Sequence, residues 1–264
     1  MLPVQSAPDE PTHVEFELLQ PVLIQQRLEA LPRKPAERRS TLQRLFQEVG
    51  CGELAEQRVP GSKDPNVLCT LPGEGPGVIV VGAHFDADNH GSGAVDDWSG
   101  AALLPSLYQS LQTKPRRHRI VFIGFSAEEV GLVGSTAYVK RLTKDERAMI
   151  QAMVNLECLG LAPPSVWAHR ADKQLLDAYV RVARTLGLPT RAVNVEKVGN
   201  DDSAPFLDAN VPVITFHSIT QATWPILHSP SDRLAEIKRD QYYDAYHLAA
   251  LYLAYIDAVL GRVD

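Results

Sequence analysis

The run Val78–Val81, set between two glycines, constrains the fold of this chain more than any other feature. Four consecutive β-branched residues between glycines predict a short strand that is buried on both faces. The chain then leads directly into His84 and Asp86. Because ligands in open α/β sheets collect at the carboxyl ends of the strands, these two side chains indicate a ligand site there.

Strands and helices alternate along the rest of the chain. Buried strands are predicted at Arg119–Phe125, Met153–Leu156 and Val213–Phe216, and further strands at Gln57–Val59, Val67–Leu71 and Arg191–Val195. Helical spacing of apolar residues predicts helices at Phe16–Ala30, Ala36–Val49, Gly100–Leu111 with a kink at Pro105, Ser135–Leu142, Asp172–Leu186 and Lys238–Leu260. This order predicts an α/β fold, a three-layer α/β/α sandwich with a central mixed, mostly parallel sheet.

The length and composition fit one folded unit. A chain of 264 residues with 45% hydrophobic residues can bury one large core, and no break in composition marks a boundary. We therefore predict a single domain over residues 1–264. Residues 1–13 are Pro-rich and acidic, so we expect them to form a surface tail.

Charge and hydropathy argue against nucleic acid and against a membrane as partners. The formal net charge is −6 and the Lys and Arg residues are scattered, so nucleic acid is not an expected partner. No apolar run approaches the roughly 18 residues that a membrane helix needs, and the first ten residues lack the regions of a signal peptide. The sequence as written predicts a cytoplasmic protein, or a secreted or periplasmic one if a signal peptide has been removed. It carries no signal for the oligomeric state.

The chain has only three cysteines, which is an odd number. Cys51, Cys69 and Cys158 form an odd, sparse set without a CxxC pair, which argues against a disulfide framework. Cys158 is interpreted as a small buried residue that fills space rather than as a nucleophile.

A set of histidines and carboxylates follows the predicted strands and suits a metal site. Two imidazoles and three carboxylates form a ligand set that suits Zn²⁺ and, less well, Mn²⁺ or Co²⁺; they are His84, Asp96, Glu129, Glu157 and His228. Two metals about 3.5–4 Å apart need a bridging carboxylate, and Asp96, which follows a glycine-rich approach, is the natural bridge. Glu128, beside a predicted ligand, is free to act as a general base.

Six motifs that include these residues occur in a characteristic order. They are His84-x-Asp86, Gly93-Ala-x-Asp96-Asp97-x-x-Gly100, Ala127-Glu128-Glu129-x-Gly131-Leu132-x-Gly134-Ser135, Asn155-Leu156-Glu157-x-x-Gly160, Asp202-x-x-Pro205-Phe206 and His228-Ser-Pro-Ser-Asp232. Together they resemble the di-zinc aminopeptidase family of metallopeptidases, over about residues 66–260. The resemblance implies a metal-dependent exopeptidase that hydrolyses N-terminal residues from peptides with a metal-activated water.

The resemblance also implies a role for each site residue. One zinc would bind His84 and Glu157, the other Glu129 and His228, and Asp96 would bridge them, giving two zinc ions per chain. Asp86 would orient His84, and Glu128 would be the general base. A cis peptide bond is expected between Asp96 and Asp97.

Two departures from the family pattern leave the substrate open. The family usually has Asp at the position of Glu157, and Asp-His where this chain has Asp202-Ser203. The longer Glu157 side chain changes the pocket in which a free substrate amine would lie. Aminopeptidase specificity is therefore less firmly implied than hydrolysis, and a carboxypeptidase-like exopeptidase stays open.

Two other functions occur on the same fold. Glutaminyl-peptide cyclotransferases resemble this pattern with a single zinc, and Trp224 and the Asp201-Asp202 pair keep that alternative open. Non-catalytic binding proteins of the fold lose the general base or several ligands, whereas this chain keeps them all. His217, at the end of a predicted strand, is a further candidate for the pocket lining.

Overall fold

The structure, a computed structural model, describes residues 13–194 and 199–261. Its strands are β1 (Glu53–Gln57), β2 (Asn66–Leu71), β3 (Val78–His84), β4 (Arg119–Phe125), β5 (Ile150–Glu157), β6 (Ser165–Val166) and β7 (Val213–His217). Its α-helices are α1 (Pro21–Glu29), α2 (Arg38–Glu48), α3 (Ser99–Ala101), α4 (Leu103–Gln112), α5 (Val133–Arg141), α6 (Lys144–Met149), α7 (Lys173–Thr185), α8 (Ala204–Asp208) and α9 (Arg239–Val259). Except for His13, the predicted surface tail lies outside the described residues.

The seven strands form one mixed sheet in the order β1-β2-β4-β3-β5-β7-β6. The four central strands, β4, β3, β5 and β7, are parallel, and the strands at both edges pair antiparallel. The predicted mixed sheet with a parallel centre is confirmed. None of the helices in the described part is both long and apolar enough to span a membrane.

Strand β3 shows why helices cover both faces of the sheet. All seven of its residues are buried. Ile79 and Val81 pack in the larger apolar core, whereas Val78 and Val80 pack in a second core that contains Tyr138 of α5. Because successive side chains of a strand point to opposite faces, the β-branched run has to be buried from both sides. The predicted three-layer arrangement follows directly.

The parallel strands bring their carboxyl ends to one edge of the sheet. There β3 ends at His84, β5 ends at Glu157 and β7 ends at His217. Strand β4 ends at Phe125, just before the loop that contains Glu128. Residues that lie far apart in the sequence therefore meet at this edge.

Several predicted boundaries differ from those of the structure. The helix predicted from Phe16 begins at Pro21, a residue type favoured in the first helical turn because its missing N–H needs no partner there. Pro105 lacks the N–H that would bond to the carbonyl of Ala101, and the helix is interrupted at Ala102, between α3 and α4. The strand predicted at Gln57–Val59 instead ends at Gln57.

The strand predicted at Arg191–Val195 is wrong for the residues that the structure describes. Residues 191–194 make only an isolated bridge, between Ala192 and Val166; Val195 lies outside the described residues. Strand β6, to which this segment would pair, is only two residues long, so there is no neighbour for a longer ladder.

The sparse cysteines argued against a disulfide framework, but one disulfide is present. Cys51, just after α2, forms a disulfide with Cys69 of β2 across a sequence separation of 18 residues. Cys158 remains free and is buried, as predicted. A count of three cysteines could not show which two of them the fold brings together.

Candidate metal centre

Asp96 lies at the middle of the predicted ligands. Its Oδ1 is 3.0 Å from Nε2 of His84, and its Oδ2 is 3.2 Å from Nε2 of His228. The two oxygens of one carboxylate therefore face two histidines that are 144 positions apart in the printed sequence, from 84 to 228. This is the arrangement that a bridging ligand requires.

The remaining predicted ligands complete two groups. His84, Asp96 and Glu157 offer ligand atoms within 4.8 Å of one another, and so do Asp96, Glu129 and His228. Glu157 Oε1 lies 3.5 Å from Nε2 of His84, and Glu129 Oε2 lies 3.2 Å from Nε2 of His228. Imidazole nitrogens and carboxylate oxygens are the donors that zinc accepts in catalytic sites, so the residues present fit that metal.

Asp86 lies behind His84 and connects it to the next loop. Its Oδ1 is 3.5 Å from Nδ1 of His84, on the side of the ring that faces away from Asp96. The same carboxylate accepts hydrogen bonds from the backbone N–H groups of Glu128 and Glu129, at 3.1 and 3.2 Å. Asp86 is thus placed to orient one predicted ligand and to fix the backbone of another.

Glu128 is close to both groups but belongs to neither. Its Oε2 lies 3.9 Å from Nε2 of His84. Both glutamates precede α5, whose N-cap residue Leu132 makes no side-chain capping bond. The N–H groups of Leu132 and Val133 bond to backbone carbonyl oxygens, those of Glu128 and Ala127, and Glu129 Oε1 accepts the N–H of Asp88. Side-chain capping therefore does not account for the pair, and the Glu128 carboxylate lines the cavity, where a substrate or a water can reach it.

The electrostatics of the site are dominated by its carboxylates. Burial raises the pKa of Glu128 and of Glu157, and neighbouring carboxylates raise both further. Burial would lower the pKa of His84, but the carboxylates around it, above all Glu128, hold it well above its usual value. A hydrogen bond to Asp96 likewise raises the pKa of His228 to about 9. Without a metal ion, these raised pKa values mean that Glu128 and the two histidines keep protons at neutral pH. A bound cation would displace those protons.

The Asp96–Asp97 peptide bond is cis, as predicted. Asp97 is directed away from the two ligand groups: its Oδ1 accepts hydrogen bonds from the N–H groups of Gly100 and Cys158, both at 3.0 Å. The two adjacent aspartates therefore have different roles. Asp96 faces the histidines, and Asp97 fixes the segment that follows β5.

The candidate centre opens into a cavity of about 400 Å³. Besides the predicted site residues it is lined by Gly131, Leu132, Cys158, Trp167, Gly199, Asn200, Asp201, Thr215, His217, Ile219 and Leu227. His217 is thus a lining residue, and burial lowers its pKa to about 4, so it is neutral at pH 7. Trp224 does not line this cavity and packs against the larger core instead.

Sequence reasoning did not single out Trp167 and Thr215 as lining residues. Both are at least 96% buried and lie in or beside strands, so by sequence they are indistinguishable from core residues. Asp232 was noted only as part of a motif. In the structure its carboxylate accepts hydrogen bonds from the N–H groups of Val95 and Asp96, at 2.7 and 3.2 Å, and so fixes the backbone of the bridging residue.

Comparison with known proteins matches most of the chain to one family. Residues 66–253 match the family model described as Peptidase family M28. This range contains every predicted metal ligand and the predicted general base. Among curated proteins, Aminopeptidase YwaD of Bacillus subtilis (strain 168) is 27% identical over 209 residues, which are 75% of this chain and 44% of that protein. The chain thus spans less than half the length of this relative.

Two kinds of solved structure share the fold. A zinc aminopeptidase from Bacillus subtilis aligns with a TM-score of 0.66 at 24% identity, over 72% of this chain and 49% of that one. The glutaminyl cyclase of Fimbriiglobus ruber aligns with a TM-score of 0.72 at 18% identity, over 95% of this chain and 99% of that one.

Proposed function

The chain belongs to peptidase family M28, and on that premise we propose that it is a di-zinc aminopeptidase that removes N-terminal residues from peptides. The observation that carries this proposal is the position of Asp96, whose two carboxylate oxygens each face a different group of histidine and carboxylate donors. His84 and Glu157 would hold one ion, Glu129 and His228 the other, and Asp96 both.

The residues divide the chemistry between them. When bound, zinc supplies Lewis acidity, which polarises a substrate carbonyl group and makes a nearby water easier to deprotonate. Glu128 takes a proton from the attacking water at its carboxylate and returns it to the nitrogen of the leaving amine. Asp86 keeps His84 oriented during the reaction through its contact with Nδ1.

The charge of the cavity favours a substrate amine over a substrate carboxylate. Among the described lining residues there is no Lys or Arg, whereas five are Asp or Glu. These five are Asp96, Glu128, Glu129, Glu157 and Asp201. Two zinc ions would offset the charge of the carboxylates that hold them, but Glu128 and Asp201 are not among these ligands and would still attract a positively charged α-amino group. Without a Lys or Arg in the described lining, a C-terminal carboxylate has no cationic side chain to bind. This supports an aminopeptidase rather than a carboxypeptidase-like exopeptidase.

One observation favours glutaminyl-peptide cyclisation as a second candidate. Asp202 is fully buried, and within the described residues neither of its carboxylate oxygens has a hydrogen-bond partner. Burial raises its pKa, and its charge raises the pKa of Glu128, so the two carboxyl groups share one electrostatic environment. Two carboxyl groups that influence each other in this way can hold and release a proton, which ring closure of an N-terminal glutamine requires. Trp224, the other feature that kept this alternative open, does not line the cavity.

A panel of substrates decides between these functions. The zinc-loaded protein is given aminoacyl anilides, N-blocked peptides, C-terminal acidic dipeptides and glutaminyl peptides, with chelator-treated protein as the control. We expect anilide hydrolysis that depends on zinc and fails when the α-amine is acetylated. Hydrolysis of only the blocked or acidic substrates would contradict the aminopeptidase, and ring closure without hydrolysis would support the cyclase in its place.

A further inference from the structure

Arg38, the first residue of α2, lies beneath the loop that joins two predicted metal ligands. The loop runs from Phe85 to Gly93, between His84 at the end of β3 and the bridging Asp96. The Arg38 side chain is almost completely buried, with 1% of the residue exposed. A buried arginine far away in sequence from every motif of the site needs an explanation from its contacts.

The guanidinium group holds both ends of this loop. Nη1 donates hydrogen bonds to the carbonyl oxygens of Phe85 and Asp86, at 3.2 and 3.0 Å. Nη2 donates to the carbonyl oxygens of Ser92 and Gly93, the latter at 3.2 Å. One side chain thus binds four backbone carbonyl groups and holds the two ends of the loop close together.

Asp232 bonds to backbone N–H groups of the neighbouring segment, whereas Arg38 bonds to backbone carbonyl groups. Its carboxylate accepts hydrogen bonds from the N–H groups of Val95 and Asp96, and its carbonyl oxygen accepts one from Ser92. The loop is therefore fixed by the Arg38 side chain and by the backbone carbonyl of Asp232, and the Asp232 carboxylate fixes the two residues Val95 and Asp96 that follow it. Asp232 belongs to the motifs of the site, whereas Arg38 does not.

We infer that Arg38 is a positioning residue for the metal centre, acting through the backbone of Asp86 and of the segment before Asp96. By fixing Asp86, it sets the carboxylate that orients His84 and that accepts the N–H groups of Glu128 and Glu129. By fixing Ser92 and Gly93, it sets the approach of the chain to the bridging carboxylate. The inference rests on the metal site of the proposed function and not on the identity of the substrate.

The role requires an arginine. A guanidinium group is planar and presents five N–H donors in a fixed fork, whereas a lysine offers a single ammonium group on a flexible stem. The Arg38 guanidinium also packs closely against the backbone of Gly93. A Cβ added at Gly93 would lie only 2.8 Å from Nη2 of Arg38, and Gly93 has a positive φ of 54°, which favours glycine. A lysine at position 38 would keep the charge but has one nitrogen in place of the two that bond to the two ends of the loop.

The test compares Arg38→Lys and Arg38→Met with Arg116→Lys. Arg116 is a matched control, since it is also buried and its guanidinium also donates to two backbone carbonyls, those of Leu111 and Glu15, away from the loop. Zinc affinity is measured by competition with a chromophoric chelator, and thermal stability is measured on the metal-free proteins. Groups that support metal ligands typically change metal affinity by about 10–100-fold, and we expect a loss of that size in both Arg38 variants.

The control separates positioning from general stability. We expect Arg116→Lys to lower the melting temperature without changing zinc affinity, and excess zinc to restore much of the activity of Arg38→Lys. Zinc affinity within threefold of wild type in both Arg38 variants would overturn the inference, and so would a wild-type chain that binds no zinc. A wild-type chain that binds zinc but hydrolyses no peptide would refute the proposed function alone, because the affinities would still test Arg38.

Discussion

Asp96→Ala is expected to release both zinc ions and to reduce peptide hydrolysis below detection. Asp96 is the one residue that belongs to both groups of ligand atoms, with an oxygen directed at His84 and another at His228. Removing it leaves each ion two protein ligands, one fewer than the three that catalytic zinc sites typically have. The measurement is zinc content per chain by elemental analysis after dialysis, together with the rate of anilide release.

Asp88→Ala is the control for this change. Asp88 lies in the loop that precedes Asp96, but its carboxylate accepts hydrogen bonds from His90 and belongs to neither ligand group. This variant should retain both ions. An Asp96→Ala protein that keeps either zinc at wild-type affinity would rule out the bridging role.

Glu128→Gln is expected to keep both zinc ions and to lower kcat by about 10²–10⁴-fold, the usual contribution of general acid–base catalysis. Glutamine keeps the size and the hydrogen-bonding capacity of the side chain but cannot accept a proton. KM should change little, because the interaction lost is one made in the transition state. Steady-state kinetics on protein of measured zinc content provide the test.

Glu129→Gln should behave differently, although it is the adjacent residue. Its Oε2 lies 3.2 Å from Nε2 of His228 in the second ligand group, so the variant should bind one ion more weakly and regain activity in excess zinc. Near-normal kcat in fully loaded Glu128→Gln would exclude Glu128 as the general base.

The sequence was most informative where a local pattern dictates the structure. The β-branched residues of β3 can be buried only between two layers of helices, and Ile79 and Val80 do face different cores. The ends of parallel strands then have to meet, which brings His84 and Glu157 together. The fold and the proximity of the predicted ligands were therefore accessible from periodicity, strand ends and the order of the motifs.

The features that were missed depend on contacts between distant segments. Nothing near Arg38 in the sequence indicates that it reaches four carbonyl groups more than 40 positions later, from 38 to 85 and beyond. Cys51 and Cys69 form a disulfide because β1, which begins at Glu53, pairs antiparallel with β2 and brings the two cysteines together. Thr215 looks like any residue of a buried strand, and only the assembled sheet places it at the cavity. Local patterns do not encode such neighbours.

Titration of the metal-free protein with zinc, followed by the rate of hydrolysis of an aminoacyl anilide, tests the proposed two-metal hydrolase most directly. Because the two ligand groups share Asp96 and both are needed for the chemistry, the rate should rise until two equivalents have been added and then stay constant. A rate that is constant after one equivalent, or no hydrolysis at any amount of zinc, would contradict the account.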